Sequence, residues 1–295
     1  MSQLTIPVIQ AFVDSGRGGN PAAVVLNADS YDRSTRQTIA AQVGLSETAF
    51  LSASSVADYK LEFFTPIRQI AQCGHATIAA FSYLAQQGLL NHVNTTMETV
   101  DGIRHVELEE DQAFMEQRAP TFTQPDSLLA ELSNSRILDS LQLSADDVVG
   151  GLDPLVINTG NSFMIVPLKS AAAVRRAVPD QVVIDQISEQ LGLVGFYIFS
   201  QEVEQPGHDA GSRMFAPHYG ILEEAATGMA AGPLACYLYK FLHQKKTTYH
   251  LEQGYLMQPA SPSVLTAQLQ VDQGTITGLR VGGRASVSHS LTITF

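Results

Sequence analysis

From Thr5 to Phe12 apolar and polar positions alternate as in a strand, and the run ends in a turn at Asp14-Ser15-Gly16. Gly18-Gly19-Asn20-Pro21 signals a second turn before the apolar strand Ala22 to Leu26. Ser34 to Val43 has helical spacing and stops at Gly44, a residue suited to a helix C-terminus. Ser46 to Leu51 and Tyr59 to Phe64 read as strands, the second closed by Thr65-Pro66. From Ala76 to Gln87 the period is helical with almost no polar side, small residues standing among Ile78, Phe81, Tyr83 and Leu84. Such a helix is expected to be buried on most of its circumference.

Ala119 to Ser133 is rich in proline, serine and threonine and reads as a linker. Beyond it the pattern predicts a helix around Asn134 to Leu141, strands at Leu155 to Asn158 and Ser162 to Pro167, and a helix near Gln181 to Leu191. Strands at Phe196 to Gln201 and Arg213 to Ala216 precede a second apolar helix from about Gly228 to Leu242. Val264 to Val271, Leu279 to Val281 and Ala285 to Phe295 end the chain as strands. The charged runs Glu107 to Asp111 and Lys245-Lys246 read as solvated turns.

The two apolar helices open alike. Cys73-Gly74-His75-Ala76-Thr77-Ile78-Ala79-Ala80 leads into the first and Thr227-Gly228-Met229-Ala230-Ala231-Gly232-Pro233-Leu234 into the second, an offset of 154 residues (228 minus 74). Internal duplication would account for this, with two strand-rich domains each wrapped around one central helix. A chance likeness of two alanine-rich helices would account for it equally. Under duplication both helix N-termini would point into one cleft, offering unpaired N–H groups and positive dipole ends to an anion.

Composition narrows the class. With 45% hydrophobic and 16% charged residues, the chain is globular rather than disordered, and its 295 residues are enough for two domains with a substantial core. Seventeen basic against 29 acidic residues give a net charge of −12, with no dense basic run, so nucleic-acid binding is not expected. Cys73 and Cys236 are too few for a disulfide framework. No run of about 20 apolar residues spans a bilayer, and Met1 to Val13 lacks the order of a secretory leader. A cytoplasmic, reducing setting without membrane association is expected. Eight histidines form no His-Glu-x-x-His pair or Cys/His ligand spacing, so no metal site is expected. Phosphate-binding, dinucleotide-binding and Gly-x-Ser-x-Gly motifs are also missing from the sequence.

Taken in order, the motifs resemble the PhzF-like family of phenazine biosynthesis proteins, within the diaminopimelate epimerase fold. They begin with Ala11-Phe12-Val13 and Gly19-Asn20-Pro21-Ala22-Ala23-Val24-Val25, then Leu45-Ser46-Glu47-Thr48-Ala49-Phe50, Phe64-Thr65-Pro66 and Cys73-Gly74-His75-Ala76-Thr77. Asn158-Thr159-Gly160, Met164 to Leu168, Arg213 to Pro217, Gly220 to Gly228 and Glu252-Gln253-Gly254 follow. The resemblance implies an α+β fold of two pseudo-symmetric domains, each a curved mixed sheet or barrel around a central helix, with the active site between them. The expected division is 1–119, joined by the last strand at about 284–295, and 120–283. No metal or organic cofactor is implied, and a homodimer is. The family's best-known activity is isomerisation of trans-2,3-dihydro-3-hydroxyanthranilate, in which a glutamate moves a proton between ring carbons.

Glu47 occupies the position of that glutamate. By itself it reads as a solvent-facing strand residue; a carbon acid, however, needs a base held close and partly desolvated, so that its pKa approaches the working pH. His75 occupies a family active-site position, whereas a lone histidine is as readily a structural cap. Gly74 would let substrate approach the backbone. Cys73 stands where related epimerases carry one of two opposed thiols; the second falls at Thr227, a far poorer base, so a buried, inert Cys73 is favoured, lining the substrate site with Thr227, Gly228 and Met229. Where the family usually shows Glu-Asp-Pro-(small)-Thr-Gly-Ser, this chain has Glu223-Glu224-Ala225-Ala226-Thr227-Gly228-Met229. Glu224 thus replaces an assisting aspartate, and Met229 a substrate-contacting serine with its hydroxyl. The family's Met-Gly-Arg-Pro-Ser appears as Met257-Gln258-Pro259-Ala260-Ser261, without the arginine. The expected function is a cofactor-independent isomerase of a small carboxylated substrate, with Glu47, His75 and Glu224 catalytic. The rivals are a one-thiol epimerase or dehydratase using Cys73, and a catalytically decayed small-acid binding protein.

Overall fold

Strand Gln3–Ala11 pairs antiparallel with both Asn20–Val25 and the C-terminal strand Thr275–Thr294 in the computed structural model, which describes residues 3–295. Asn20–Val25 continues parallel to Thr48–Ser52, which is antiparallel to Tyr59–Phe64. Tyr59–Phe64 runs parallel to Asn94–Thr99, and Gly102–Glu109 and Gln112–Arg118 add two antiparallel strands. Gln112–Arg118 returns to Thr275–Thr294, so these eight strands close into a barrel. A Cβ on Gly282 would lie 2.1 Å from the Ala113 carbonyl oxygen, so only glycine permits this close strand approach.

The chain forms two compact units, one running up to Glu116 and completed by Gly282–Phe295, the other Gln117–Val281. In the first, helix Gly74–Gln86 packs against Gln3–Ala11, Asn20–Val25 and Thr48–Ser52, burying Ile78, Phe81 and Leu84 among small residues. The apolar circumference read from the sequence is this burial. Helix Arg33–Val43, capped by the Asp32 carboxylate and ended by left-handed Gly44, covers Ile6, Val25, Phe50 and Phe64.

In the second unit Leu155–Asn158 pairs antiparallel with Thr121–Thr123 and with Ser162–Pro167. The order then runs parallel to Gly195–Ser200, antiparallel to Ala210–Ala216, parallel to Thr248–Gln253 and antiparallel to Ser263–Asp272. Antiparallel, parallel, antiparallel, parallel, antiparallel is also the order of the first unit, starting from Gln3–Ala11. In each unit a short strand, Gln69–Ile70 or Ile221–Glu224, hangs on the fourth member and leads to the central helix. The second helix, Gly228–Phe241, starts 154 residues after the first and packs on Ser162–Pro167 and Ser263–Asp272. Two identical pairing orders decide for duplication over chance likeness.

The expected linker is a correction. Thr121–Thr123 is a paired strand, Pro125–Leu128 a short helix, and Leu132, 1% exposed, lies in the core with Ile137, Leu141 and Ile184. Its polar composition belongs to a surface layer that is nevertheless ordered by these anchors. The charged run at Glu107 is corrected too, since Glu107 to Glu109 ends a strand and only Glu110-Asp111 turns. The predicted strands Leu279 to Val281 and Ala285 to Phe295 belong to one strand, Thr275–Thr294. Among the described residues no helix is long and apolar enough to cross a membrane.

Candidate active site

Helix Arg33–Val43 stops at Gly44, and three residues later the chain enters Thr48–Ser52, a strand buried at every position. Glu47 sits at that entrance with its carbonyl oxygen accepting from the Ala23 N–H at 3.3 Å, which places the side chain at the base of the strand. The residue is only 6% exposed. Its Oε2 lies 3.1 Å from His75 Nε2, yet no donor is aligned to make a hydrogen bond to it.

His75 is the second residue of helix Gly74–Gln86, and Cys73 is its extended N-cap (φ −144°, ψ 115°). The Cys73 carbonyl oxygen accepts from both the Thr77 N–H (3.1 Å) and its hydroxyl (2.8 Å), which fixes the first turn. Cys73 Sγ stands 3.5 Å from His75 Nδ1 and 3.9 Å from Nε2. His75 and Cys73 are 4% and 5% exposed. Glu47, Cys73, His75 and the buried Gly74 therefore form one cluster at the start of the first central helix.

The electrostatics of this cluster are unequal. Burial opposes ionisation of Glu47, but the contact with His75 and its charge, aided by Ser46, hold the carboxyl below its ordinary range, which corrects the expectation that desolvation brings its pKa toward the working pH. Burial likewise opposes the imidazolium, while contacts with Cys73 and Glu47 hold His75 well above its ordinary value. Burial pushes the Cys73 thiol up, so it stays protonated near neutrality and is a poor base. The arrangement offers an ionised, water-shielded carboxylate beside a proton donor. One donor atom from each of Glu47, Cys73 and His75 lies within 4.8 Å of the others, so the fold assembles a metal-capable trio that the sequence spacing hides.

The second central helix is capped by Thr227, also extended (φ −132°, ψ 90°). The Thr227 hydroxyl donates to Glu224 Oε2 at 2.6 Å. Gln253 ties the corner together: its Oε1 accepts from the Thr227 N–H and the Tyr197 hydroxyl (both 2.9 Å), and its Nε2 donates to the Glu224 carbonyl oxygen (2.7 Å). Ser212 Oγ lies 2.8 Å from the Tyr197 hydroxyl. A Cβ on Gly254 (φ 78°) would meet the Ser261 carbonyl oxygen at 2.1 Å, which accounts for glycine after Gln253. The Gly228 carbonyl oxygen accepts from Gln117 Nε2 (2.9 Å), whose Oε1 accepts from Thr159 (2.7 Å). Met229 Sδ receives Asn161 Nδ2 at 3.2 Å, a contact with the thioether where the family carries a hydroxyl. Glu224, Thr227, Gly228 and Met229 thus form a second cluster, in the second unit.

Gln253, Tyr197, Gln117 and Asn161 escaped the sequence reading. For Gln253 and the Asn158-Thr159-Gly160 loop the family motifs were the available signal; Tyr197 and Gln117 lie in strands that carry none. Two motif glutamates have structural partners. Glu223 takes both forks of Arg213 (2.7 and 2.8 Å), and Glu252 accepts from the N–H groups of Glu204 and Gln205 and contacts His208 Nδ1 at 2.8 Å.

A family model described as phenazine biosynthesis-like protein (PhzC-PhzF) matches residues 9–290. The chain belongs to this family. Several of its relatives are named isomerases. The uncharacterized isomerase YddE of Escherichia coli (strain K12) is 33% identical over 234 residues, 78% of this chain and 77% of that protein. The trans-2,3-dihydro-3-hydroxyanthranilate isomerase of Pseudomonas chlororaphis is 28% identical over 283 residues, 94% of each chain. The crystal structure of a phenazine biosynthesis protein of the PhzF family from Bacillus anthracis superposes with a TM-score of 0.90 at 26% identity, covering 100% of both chains. A hydroxyproline epimerase from Agrobacterium vitis shares the fold at a TM-score of 0.59 and 13% identity, covering 99% of this chain and 92% of that one. The epimerase-like α+β fold read from the motifs is the observed one.

Proposed function

We propose that this PhzC-PhzF isomerase moves a proton between carbons of a small carboxylated, dihydroaromatic substrate, with Glu47 as the general base that takes and returns it. The observation that carries the reading is Glu47 Oε2: buried, ionised, and without an aligned donor, it keeps a lone pair for a substrate C–H. His75 holds the carboxylate and supplies the opposing charge as the base is neutralised. Gly74, Cys73, Thr227, Gly228 and Met229 line the substrate, and Glu224 assists. The backbone amides near Gly74 and Gly228 stabilise the developing enolate or carbanion without reorganising, the Thr227 amide being taken by Gln253. No step in this scheme calls for a cofactor. The same family reading makes the enzyme a cytoplasmic homodimer, which light scattering tests by a mass near twice 31.8 kDa.

The test is an ultraviolet assay with trans-2,3-dihydro-3-hydroxyanthranilate, wild type beside Glu47→Gln. Turnover by the wild type and a fall in kcat/KM of at least about a hundredfold in the folded variant are expected. An active, folded glutamine variant rejects Glu47 as the base. Absence of wild-type turnover rejects the substrate, and the proton-transfer reading then passes to hydrogen exchange from heavy water into other small cyclic acids and amino acids.

The 3.5 Å contact between Cys73 and His75 favours one alternative, a one-thiol epimerase. Activity lost in Cys73→Ser but kept in Glu47→Gln supports it over the carboxylate.

A further inference from the structure

A buried acceptor without a donor, a thiol and an imidazole meeting at one point also describe a ligand set. We propose that Glu47, Cys73 and His75 form a site for a zinc-class divalent ion, and that the ion switches the proton-transfer centre off by occupying the free oxygen of Glu47.

Thiolate, imidazole and carboxylate together suit zinc rather than magnesium or calcium, which take oxygen ligands. Ordinary zinc–ligand lengths in a tetrahedron put nitrogen and oxygen ligands about 3.4 Å apart and nitrogen and sulfur about 3.6 Å apart. The structure has His75 Nε2 at 3.1 Å from Glu47 Oε2 and 3.9 Å from Cys73 Sγ, so these two edges need to change by roughly 0.3 Å, and the third, between Glu47 and Cys73, lies within 4.8 Å. Three protein ligands leave the fourth position to water. Charge also balances. The positive end of the helix at Gly74 opposes a bare cation, but carboxylate and thiolate together neutralise a divalent ion. The Cys73 thiol proton and the imidazolium proton of His75 both pass to solvent when Sγ and Nε2 bind. Cys73 therefore acquires a function that its raised thiol denies it as a base. The metal site stands on this geometry alone; the switching rests on Glu47 being the base.

Cobalt(II) serves as the probe, titrated into the full-length chain kept reduced by a non-thiol phosphine. One equivalent is expected to bind with a near-ultraviolet sulfur-to-cobalt band and intense visible bands of four-coordinate cobalt, both bleached by zinc. Cys73→Ser loses the sulfur band while Cys236→Ser, changed at the other buried cysteine, keeps it. His75→Gln and Glu47→Gln weaken binding at least about tenfold, a loss on the scale of removing one ligand or its close support. X-ray absorption of the zinc-loaded wild type is expected to show one sulfur at about 2.3 Å with lighter ligands near 2.0–2.2 Å, independently of how any variant folds. No saturable binding at millimolar cobalt, a sulfur band that survives Cys73→Ser, or a shell without sulfur overturns the site. Zinc is expected to suppress wild-type proton transfer with the affinity obtained from its competition with cobalt; full activity of the zinc-loaded enzyme overturns the switch. If Glu47→Gln proves active, the base assignment falls while the spectra still decide the metal site.

Discussion

A carboxyl group 6% exposed would ordinarily keep its proton; Glu47 loses it because His75 stands 3.1 Å away and pays part of the desolvation with its own charge. The two shifts have opposite pH signatures. The folded pKa of Glu47 is depressed, so its contribution to stability is present above the ordinary value of 4.5 and is lost as pH falls through the folded value. The folded pKa of His75 is raised, so its contribution is full below 6.5 and is lost as pH rises through the folded value. Denaturant melts of wild type and His75→Gln at a series of pH values check this: the difference between them is expected to shrink on the alkaline side of 6.5. A difference that grows with pH means a neutral His75. Under the proposed role of Glu47 as base, the acid limb of kcat/KM in the free enzyme is expected below pH 4.5, because a carboxyl held below its ordinary value is ionised above it; a limb between pH 6 and 7 assigns the proton to another group. The residue pair was partly legible in the sequence. Both positions stood in family motifs, but their contact joins residues 28 apart in the chain, and no local pattern reports that.

At the scale of elements, the central helices were the most legible parts, because apolar residues on all sides of a helix have one physical outcome, burial. Their N-termini were less so. What holds the second is Gln253, 26 residues beyond Thr227 in the chain and fully buried, with the Thr227 N–H, the Tyr197 hydroxyl and the Glu224 carbonyl oxygen as partners. Gln253→Leu keeps the volume and removes those three hydrogen bonds from the interior. Each such loss costs about 1–3 kcal/mol, and shared relaxation keeps the sum below three times that. A fall in stability of roughly 3 kcal/mol in urea melts is expected, with the Thr227 amide exchanging faster than its neighbours. An unchanged melt removes Gln253 from this role. Strands Gly102–Glu109 and Gln112–Arg118 were illegible for the opposite reason: the first buries only Val106, and the second buries Ala113, Phe114 and Met115 in a row, so neither shows clean alternation. The Pro/Ser/Thr stretch was misread because composition does not register a single anchor such as Leu132.

For the whole molecule, the decisive feature is that the first barrel is completed by the chain's last segment. Residues from Ala285 to Thr294 pair with Ala11 back to Gln3, with a register shift between Val8 and Ile9, and the Val13 N–H donates to the Arg284 carbonyl oxygen at 3.1 Å. Contact order is consequently high, because one edge of the first strand pairs with a distant segment, Ala11 with Ala285, 274 residues further on (285 minus 11). Without Gly282–Phe295 the barrel would present two open edges, Gln3–Ala11 and Gln112–Arg118, with unpaired N–H and C=O groups and Ile6, Val8 and Ile9 uncovered. A chain ending at Val281 is therefore expected to aggregate or to lose amide protection throughout Gln3–Val25. Adding the missing segment as a peptide should restore part of that protection by strand addition. A chain lacking only Phe295, which is outside the paired register although its ring packs edge-on against Tyr31, is the control and should keep native protection of Gln3–Val25. Hydrogen exchange on the three proteins checks this, and native protection of Gln3–Val25 in the chain ending at Val281 would show that the barrel does not depend on its last strand. Only the 154-residue helix offset in the sequence pointed toward the duplication, because strand pairing order leaves no periodic trace once the side chains of the two copies have diverged.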